Sequence, residues 1–112
     1  MKRLRIYVAG PITSEDPEIV EQNIENARAI GRRILQLGHL PYVPHAHFSN
    51  WEIDTNEMYD LLQLHGEDVL EKWADALFFI APSNGANAER AKAEKLGLKI
   101  FTSLGQIPRF GE

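Results

Sequence analysis

Residues 76–89 read A-L-F-F-I-A-P-S-N-G-A-N-A-E, and the fold turns on this stretch. Ala76 to Ile80 is apolar at every position. Such a run reads as a strand buried on both faces, the pattern of a parallel sheet covered by helices. Pro82-Ser83-Asn84-Gly85 interrupts it and reads as a loop. Ala86 to Leu96 then reads as a helix stopped at Gly97. A doubly buried strand that feeds a helix through a short loop is half of a β-α-β unit.

The same alternation extends outward in both directions. Leu4 to Ala9 (L-R-I-Y-V-A) reads as a first strand, ended by Gly10-Pro11. Thr13 to Pro17 supplies turn and capping residues. A helix is predicted from about Glu18 to Leu37, with Ile24, Ala27, Ile30, Ile34 and Leu37 at helical spacing and Gly38 as its stop. Leu40 to Val43 is a second short strand, ended by Pro44. His45 to Thr55 reads as irregular. Asn56 to Trp73 reads as a further helix, with Met58, Leu61, Leu62, His65, Val69 and Trp73 on or beside one face. Leu98 to Phe101 is a fourth strand. The tail from Gly105 to Glu112 is rich in Gly and Pro and reads as a surface or interface arm. The pattern predicts an α/β, Rossmann-like three-layer fold, with a central parallel sheet of four to five strands and helices on both faces. Residues 1–112 are expected to form a single domain, since no linker or repeat divides them.

Composition narrows the function classes. The apolar share is 44 % and the charged share 25 % of 112 residues, enough for one packed core in an ordinary globular chain. There are no cysteines, so disulfides and thiolate metal sites are excluded. The formal net charge of −4 argues against a nucleic acid polymer as partner. The apolar run near the N-terminus is too short for a signal segment or a membrane span. The expectation is a cytoplasmic protein with no membrane partner and no cofactor.

In parallel sheets, ligands sit beyond the carboxyl ends of the strands. Three loops meet there: Gly10 to Asp16, Pro44 to Trp51, and Ala81 to Ala88. In the third, Ser83 or Asn84 can cap the helix or hold a phosphate at its N-terminus. Gly85 lets a ligand approach the backbone closely. Glu89 stands about one turn inside the helix. Its side chain either points back to the strand ends or serves as a plain N-terminal helix carboxylate. Tyr7, near the end of the first strand, either orients a carboxylate or is a core aromatic with a wet tip. Gly10, Pro11 and Ile12 follow it. The second loop offers His45, His47, Asn50, Trp51, Glu52 and Asp54. His45-x-His47 is a weak metal pattern. Phe48 or Trp51 can stack on a base, and a surface lid is the other reading of that loop.

The order Y-V-A-G-P-I (7–12), G-x-x-P-x-x-P-H (38–45), W-A-D-A-L-F-F-I (73–80) and S-x-G-A-x-x-E-x-x-x-A-x-x-L-G (83–97) resembles the nucleoside 2-deoxyribosyltransferase-like family. That family includes 2′-deoxynucleoside 5′-phosphate N-hydrolases. The resemblance runs from Arg5 to about Phe101, and its most specific part is the Ser83 to Glu89 segment. It implies cleavage of an N-glycosidic bond, with Glu89 as nucleophile and Tyr7 positioning it. It implies that Ser83 holds a 5′-phosphate, which favours a nucleoside 5′-monophosphate over a nucleoside. The family's acid, on the helix before the third strand, falls on Glu67 by spacing and on Asp68 by residue type; Asp68 is the expectation. Gly10, Pro11, Ile12, His45, Asn84 and Gly85 are the implied substrate contacts. A homodimer or larger homo-oligomer is implied as well. A non-catalytic nucleotide-binding module and a metal-dependent hydrolase built on His45 and His47 are the rival readings.

Overall fold

The computed structural model describes residues 1–48 and 51–111. Among them are four strands, β1 (Arg5–Ala9), β2 (Leu40–Tyr42), β3 (Ala76–Phe79) and β4 (Lys99–Phe101). They form one sheet in the order β2-β1-β3-β4, with every pairing parallel. The helices are α1 (Pro17–Gln36), α2 (Pro44–His47), α3 (Asn56–Lys72) and α4 (Asn84–Lys95). This is the α/β fold that the alternation predicts. The chain leaves β1 to one side for β2, then crosses to the other side for β3. The order therefore reverses between β1 and β3, which opens a crevice at their carboxyl ends.

Alternation along the strands sorts the core into two layers. Ile6, Val8, Ala76 and Phe78 face α1, where they meet Ala27 and Ile34. Tyr7, Ala9 and Leu77 face the opposite side and meet Leu70 of α3 with Ala86 and Ala93 of α4. Full burial of each large aliphatic side chain contributes roughly 1.5–3 kcal/mol. The small residues Ala86 and Ala93 let α4 lie close to the sheet, and that closeness matters for Glu89.

The turn residues act as caps. Asp16 accepts from the Glu18 amide at 2.9 Å, Thr55 from Met58 at 3.1 Å, and Ser83 from Ala86 at 3.1 Å. Beyond the end of β3, α4 begins at Asn84, two residues before the expected start, because Ser83 is the cap and Asn84-Gly85 form the first turn.

Two further expectations are corrected. The segment after β2 is not wholly irregular: Pro44–His47 forms the short α2, with proline at the first position, where no amide hydrogen is needed. The face of α3 is rotated from the one expected. Leu70 is buried, whereas Met58 and Leu61 are exposed, because the helix turns its Leu62–Gly66–Leu70 side toward the cleft and core. The tail, expected as a surface or interface arm, is exposed at most positions but docks on its own chain. Ile107 is buried against the α1-side core, and the Phe110 amide donates to the Leu37 carbonyl at 2.8 Å. Buried His39 fastens this tail to β1. Its Nδ1 accepts from the Leu4 amide at 2.9 Å, so Nε2 carries the proton and donates to the Pro108 carbonyl at 2.6 Å.

The start of β3 is clamped to β1 by Asp75. Its carboxylate accepts from the Arg5 amide at 3.0 Å, the Arg5 Nε at 3.2 Å and the Lys2 ammonium at 2.8 Å. Partial burial pushes this carboxyl up, but the hydrogen bonds from Arg5 and Lys2 outweigh it and hold it well below the usual carboxylate range. A group depressed in the folded state stabilises above its unfolded pKa and loses that contribution as pH falls. Urea unfolding tests this: Asp75→Ala is expected to lose about 1–3 kcal/mol at pH 7. The gap to the wild-type protein should narrow as pH drops below about 4.

Candidate active site

The carboxyl ends of β1 and β2 and the turn that follows β3 border a cleft of about 580 Å³. Its walls come from the ends of β1 and β2, from α2, from one side of α3 and from the first turns of α4. Tyr7 points to the α3–α4 side of the sheet by strand alternation and is 2 % exposed. Glu89 stands at the sixth position of α4, so it projects back toward the strand ends. The two side chains meet: the Tyr7 phenol donates a hydrogen bond to a Glu89 carboxylate oxygen.

This pair sits where charge is costly. Burial pushes the Glu89 carboxyl above its ordinary range, and the bond from Tyr7 only partly offsets this. Burial first, and then the Glu89 charge, push the Tyr7 phenol far up, so it stays protonated and remains a donor. Tyr42 lies beside them, with ring centroids 5.4 Å from Tyr7. Burial and the Glu89 charge raise its phenol to about 12. Gly66 makes room for the pair from α3. A Cβ there would stand 3.1 Å from the Tyr7 hydroxyl, closer than most carbon contacts, so only glycine lets α3 lie against the dyad undisturbed.

Most of the residues singled out from sequence converge here. Tyr7, Gly10, Ile12, His45, Ser83, Asn84, Gly85 and Glu89 all line the cleft. Gly10 does so with its back against Ile80, whose Cβ lies 2.9 Å from where its own would be; packing accounts for that glycine. A Cβ on Gly85 would meet nothing within 4 Å, so neither crowding nor backbone conformation requires glycine there. Ser83 caps α4 as acceptor, which leaves its hydroxyl proton free to donate. Pro11 does not line the cleft; its carbonyl instead receives His45.

Asp68, the acid expected from residue type, does not line the cleft. Asp68 is exposed and pairs along its own helix with Lys72 at 3.5 Å. Glu67, one residue earlier and about 100° around the helix, lines the cleft. It lies 3.8 Å from the Lys92 ammonium, which pairs more closely with Glu71 at 2.7 Å.

The second loop divides. His45 is 3 % exposed, and its Nε2 lies 3.1 Å from the carbonyls of both Gly10 and Pro11. Carbonyls only accept, so Nε2 carries the proton and Nδ1 is left as an acceptor. Burial pulls this imidazole below its ordinary pKa, against the effect of the two carbonyls. His47 is exposed and packs with Phe48 and Trp51, at ring centroids of 4.6 and 5.3 Å. Among the described residues, no group of three or more His, Asp or Glu side chains is placed to hold a metal ion. Phe48 lines the cleft, while Trp51 is 56 % exposed on its outer side. Glu52 and Asp54 are exposed, and Asn50 lies outside the described residues.

Sequence reasoning missed Tyr42, Gly66 and Lys92. Tyr42 had a signal, since it ends β2 as Tyr7 nears the end of β1, and the two pair in register. Gly66 had one too: a glycine inside a helix with no turn to make points to close packing. Lys92 follows Glu89 by three residues, hence on the same side of a helix.

Comparison with known proteins bears on this geometry. Residues 5–103 match the family described as "Domain of unknown function (DUF7768)". No curated protein matches the chain. Among solved structures, a 2-deoxyribosyltransferase from the psychrotolerant bacterium Bacillus psychrosaccharolyticus superposes with a TM-score of 0.67. That protein is described as a biocatalyst for the synthesis of antiviral and antitumoral nucleosides. The identity is 21 %, over 86 % of this chain and 69 % of the other. At that identity the likeness establishes the shared fold. Among the described residues, no helix is long and apolar enough to cross a membrane.

The dyad makes a prediction that needs no substrate. The Tyr7 bond pulls the Glu89 carboxyl down against burial. Tyr7→Phe removes that pull, so the Glu89 titration should move further up in a carbon-13 carboxyl NMR experiment. An unchanged midpoint would mean that the bond is not formed in solution.

Proposed function

We propose that this chain, which belongs to the DUF7768 family, cleaves the N-glycosidic bond of a nucleoside 5′-monophosphate or nucleoside, with Glu89 as nucleophile. The observation that carries the reading is the half-buried Glu89 carboxylate, held by the Tyr7 phenol in the cleft at the carboxyl ends of the strands. The shared fold with a 2-deoxyribosyltransferase supports it.

Cleavage at the anomeric carbon passes through an oxocarbenium-like state. A desolvated carboxylate placed below that carbon stabilises the positive charge and then bonds to it. On this reading, a Glu89 oxygen attacks C1′ as the bond from C1′ to the base nitrogen breaks. The base leaves with the electron pair and takes a proton from the Glu67 side of the cleft. The glycosyl ester on Glu89 is then resolved by water, giving a hydrolase, or by a second base, giving a transferase. Tyr7 holds Glu89 in line throughout. The first turn of α4, with its free amides and the Ser83 hydroxyl, receives the 5′-phosphate.

The same reading takes residues 1–112 as one catalytic domain that works in the cytoplasm as a homodimer or larger homo-oligomer. Exposed Tyr59, Leu61 and Leu64 on α3 offer apolar surface for a second copy.

The test is incubation with 2′-deoxynucleoside 5′-monophosphates and chromatography for free base, with and without EDTA. Base release should survive EDTA and fall on the order of 10³-fold or more in Glu89→Gln. Its rate should climb with pH through a midpoint above the ordinary carboxylate value, because the raised Glu89 must first ionise. Ser83→Gly keeps most of the cap. It should raise KM about tenfold for the monophosphate and leave the unphosphorylated nucleoside unaffected. Wild-type rates in Glu89→Gln would overturn the assignment.

A further inference from the structure

The buried side-chain polar atoms without a hydrogen-bond partner among the described residues are the Tyr42 hydroxyl and His45 Nδ1. Both residues line the Glu89 cleft. Buried polar groups are nearly always paired, because each unmet one costs about 1–3 kcal/mol. Two unmet atoms on the same wall of the same cleft mark groups kept for a ligand.

Tyr42 is built into that wall. It pairs in register with Tyr7 on the neighbouring parallel strand, so the two phenols stand side by side on one face of the sheet. The Tyr7 hydroxyl is committed to Glu89, and the Tyr42 hydroxyl is not. The Tyr42 ring is packed against His65 and Trp73, with centroids at 6.0 and 6.2 Å, which fixes where its hydroxyl points. His45 is fixed just as firmly by its two carbonyl partners, so its Nδ1 offers a lone pair and nothing else.

We propose that Tyr42 is a specificity-determining residue of this site: its hydroxyl donates to an acceptor of the bound nucleotide near the glycosidic bond, and His45 Nδ1 accepts from an N–H or O–H of the same ligand. This rests on the reading of the cleft as a nucleotide site. It demands a ligand that presents both an acceptor and a donor to the β2–α2 wall. A ring or amino N–H of the base and a hydroxyl of the sugar are the two sources of that donor.

An unmet buried hydroxyl destabilises the free protein, so its removal has a signature that a structural tyrosine lacks. Thermal unfolding of Tyr42→Phe without nucleotide is expected to show an unchanged or higher melting temperature. Calorimetric titration compares Glu89→Gln with Glu89→Gln/Tyr42→Phe, using the four 2′-deoxynucleoside 5′-monophosphates. Affinity for the best-bound nucleotide should fall about tenfold in the double variant. Its 3′-deoxy and base N-methyl derivatives separate sugar from base, and one of them should lose affinity by a similar factor. A melting temperature lowered by several degrees would overturn the proposal, since the hydroxyl then has a structural partner. Equal affinity in the two variants would overturn it and leave the Glu89 assignment standing. Equal affinity for both derivatives would overturn the His45 half. Absence of nucleotide binding to Glu89→Gln would overturn this proposal and the nucleotide reading together.

Discussion

A carboxylate taken out of water must be met by a donor or give up its charge. Glu89 is met by the Tyr7 phenol, and much of the architecture serves that contact. Tyr7 is carried by β1, one of the two central strands, paired with β2 on one side and β3 on the other. The small residues Ala86 and Ala93 bring α4 down onto the sheet, and Gly66 brings α3 up to the phenol without touching it. A lysine or arginine partner would have neutralised Glu89. A phenol orients the carboxylate and leaves its charge unneutralised.

The arrangement has a stability cost that the rest of the fold offsets. The cleft keeps a raised carboxyl and two unmet polar atoms. Against these stand two apolar layers, one on each face of the sheet. The Asp75 clamp at the start of β3 and the His39 bridge to the tail tie down the opposite end of the strands. Rigidity lies at the amino ends of the strands, and unsatisfied chemistry at their carboxyl ends. That division is the one expected of a parallel sheet with a ligand site.

The sheet and its helices were legible in the sequence because buried parallel strands leave uninterrupted apolar runs, as in A-L-F-F-I, and because Gly38 and Gly97 end their helices with positive φ. What escaped depended on tertiary packing. By composition the tail read as a surface or interface arm, yet Ile107 and Phe110 dock it onto the α1 side of its own chain. Residue type favoured Asp68, but one step along α3 turned that carboxylate outward and brought Glu67 to the cleft. The place of Tyr42 at the end of β2 is legible along the chain, but its unpaired hydroxyl is a product of packing and leaves no pattern there.

In the proposed reaction, Glu89 forms a bond to the sugar. Mass spectrometry of the wild-type protein, acid-quenched during turnover of a 2′-deoxynucleoside 5′-monophosphate, tests it most directly. A deoxyribosyl phosphate adduct is expected on the peptide that contains Glu89, and none in Glu89→Gln. An adduct on another residue, or free base produced equally well by Glu89→Gln, would contradict it.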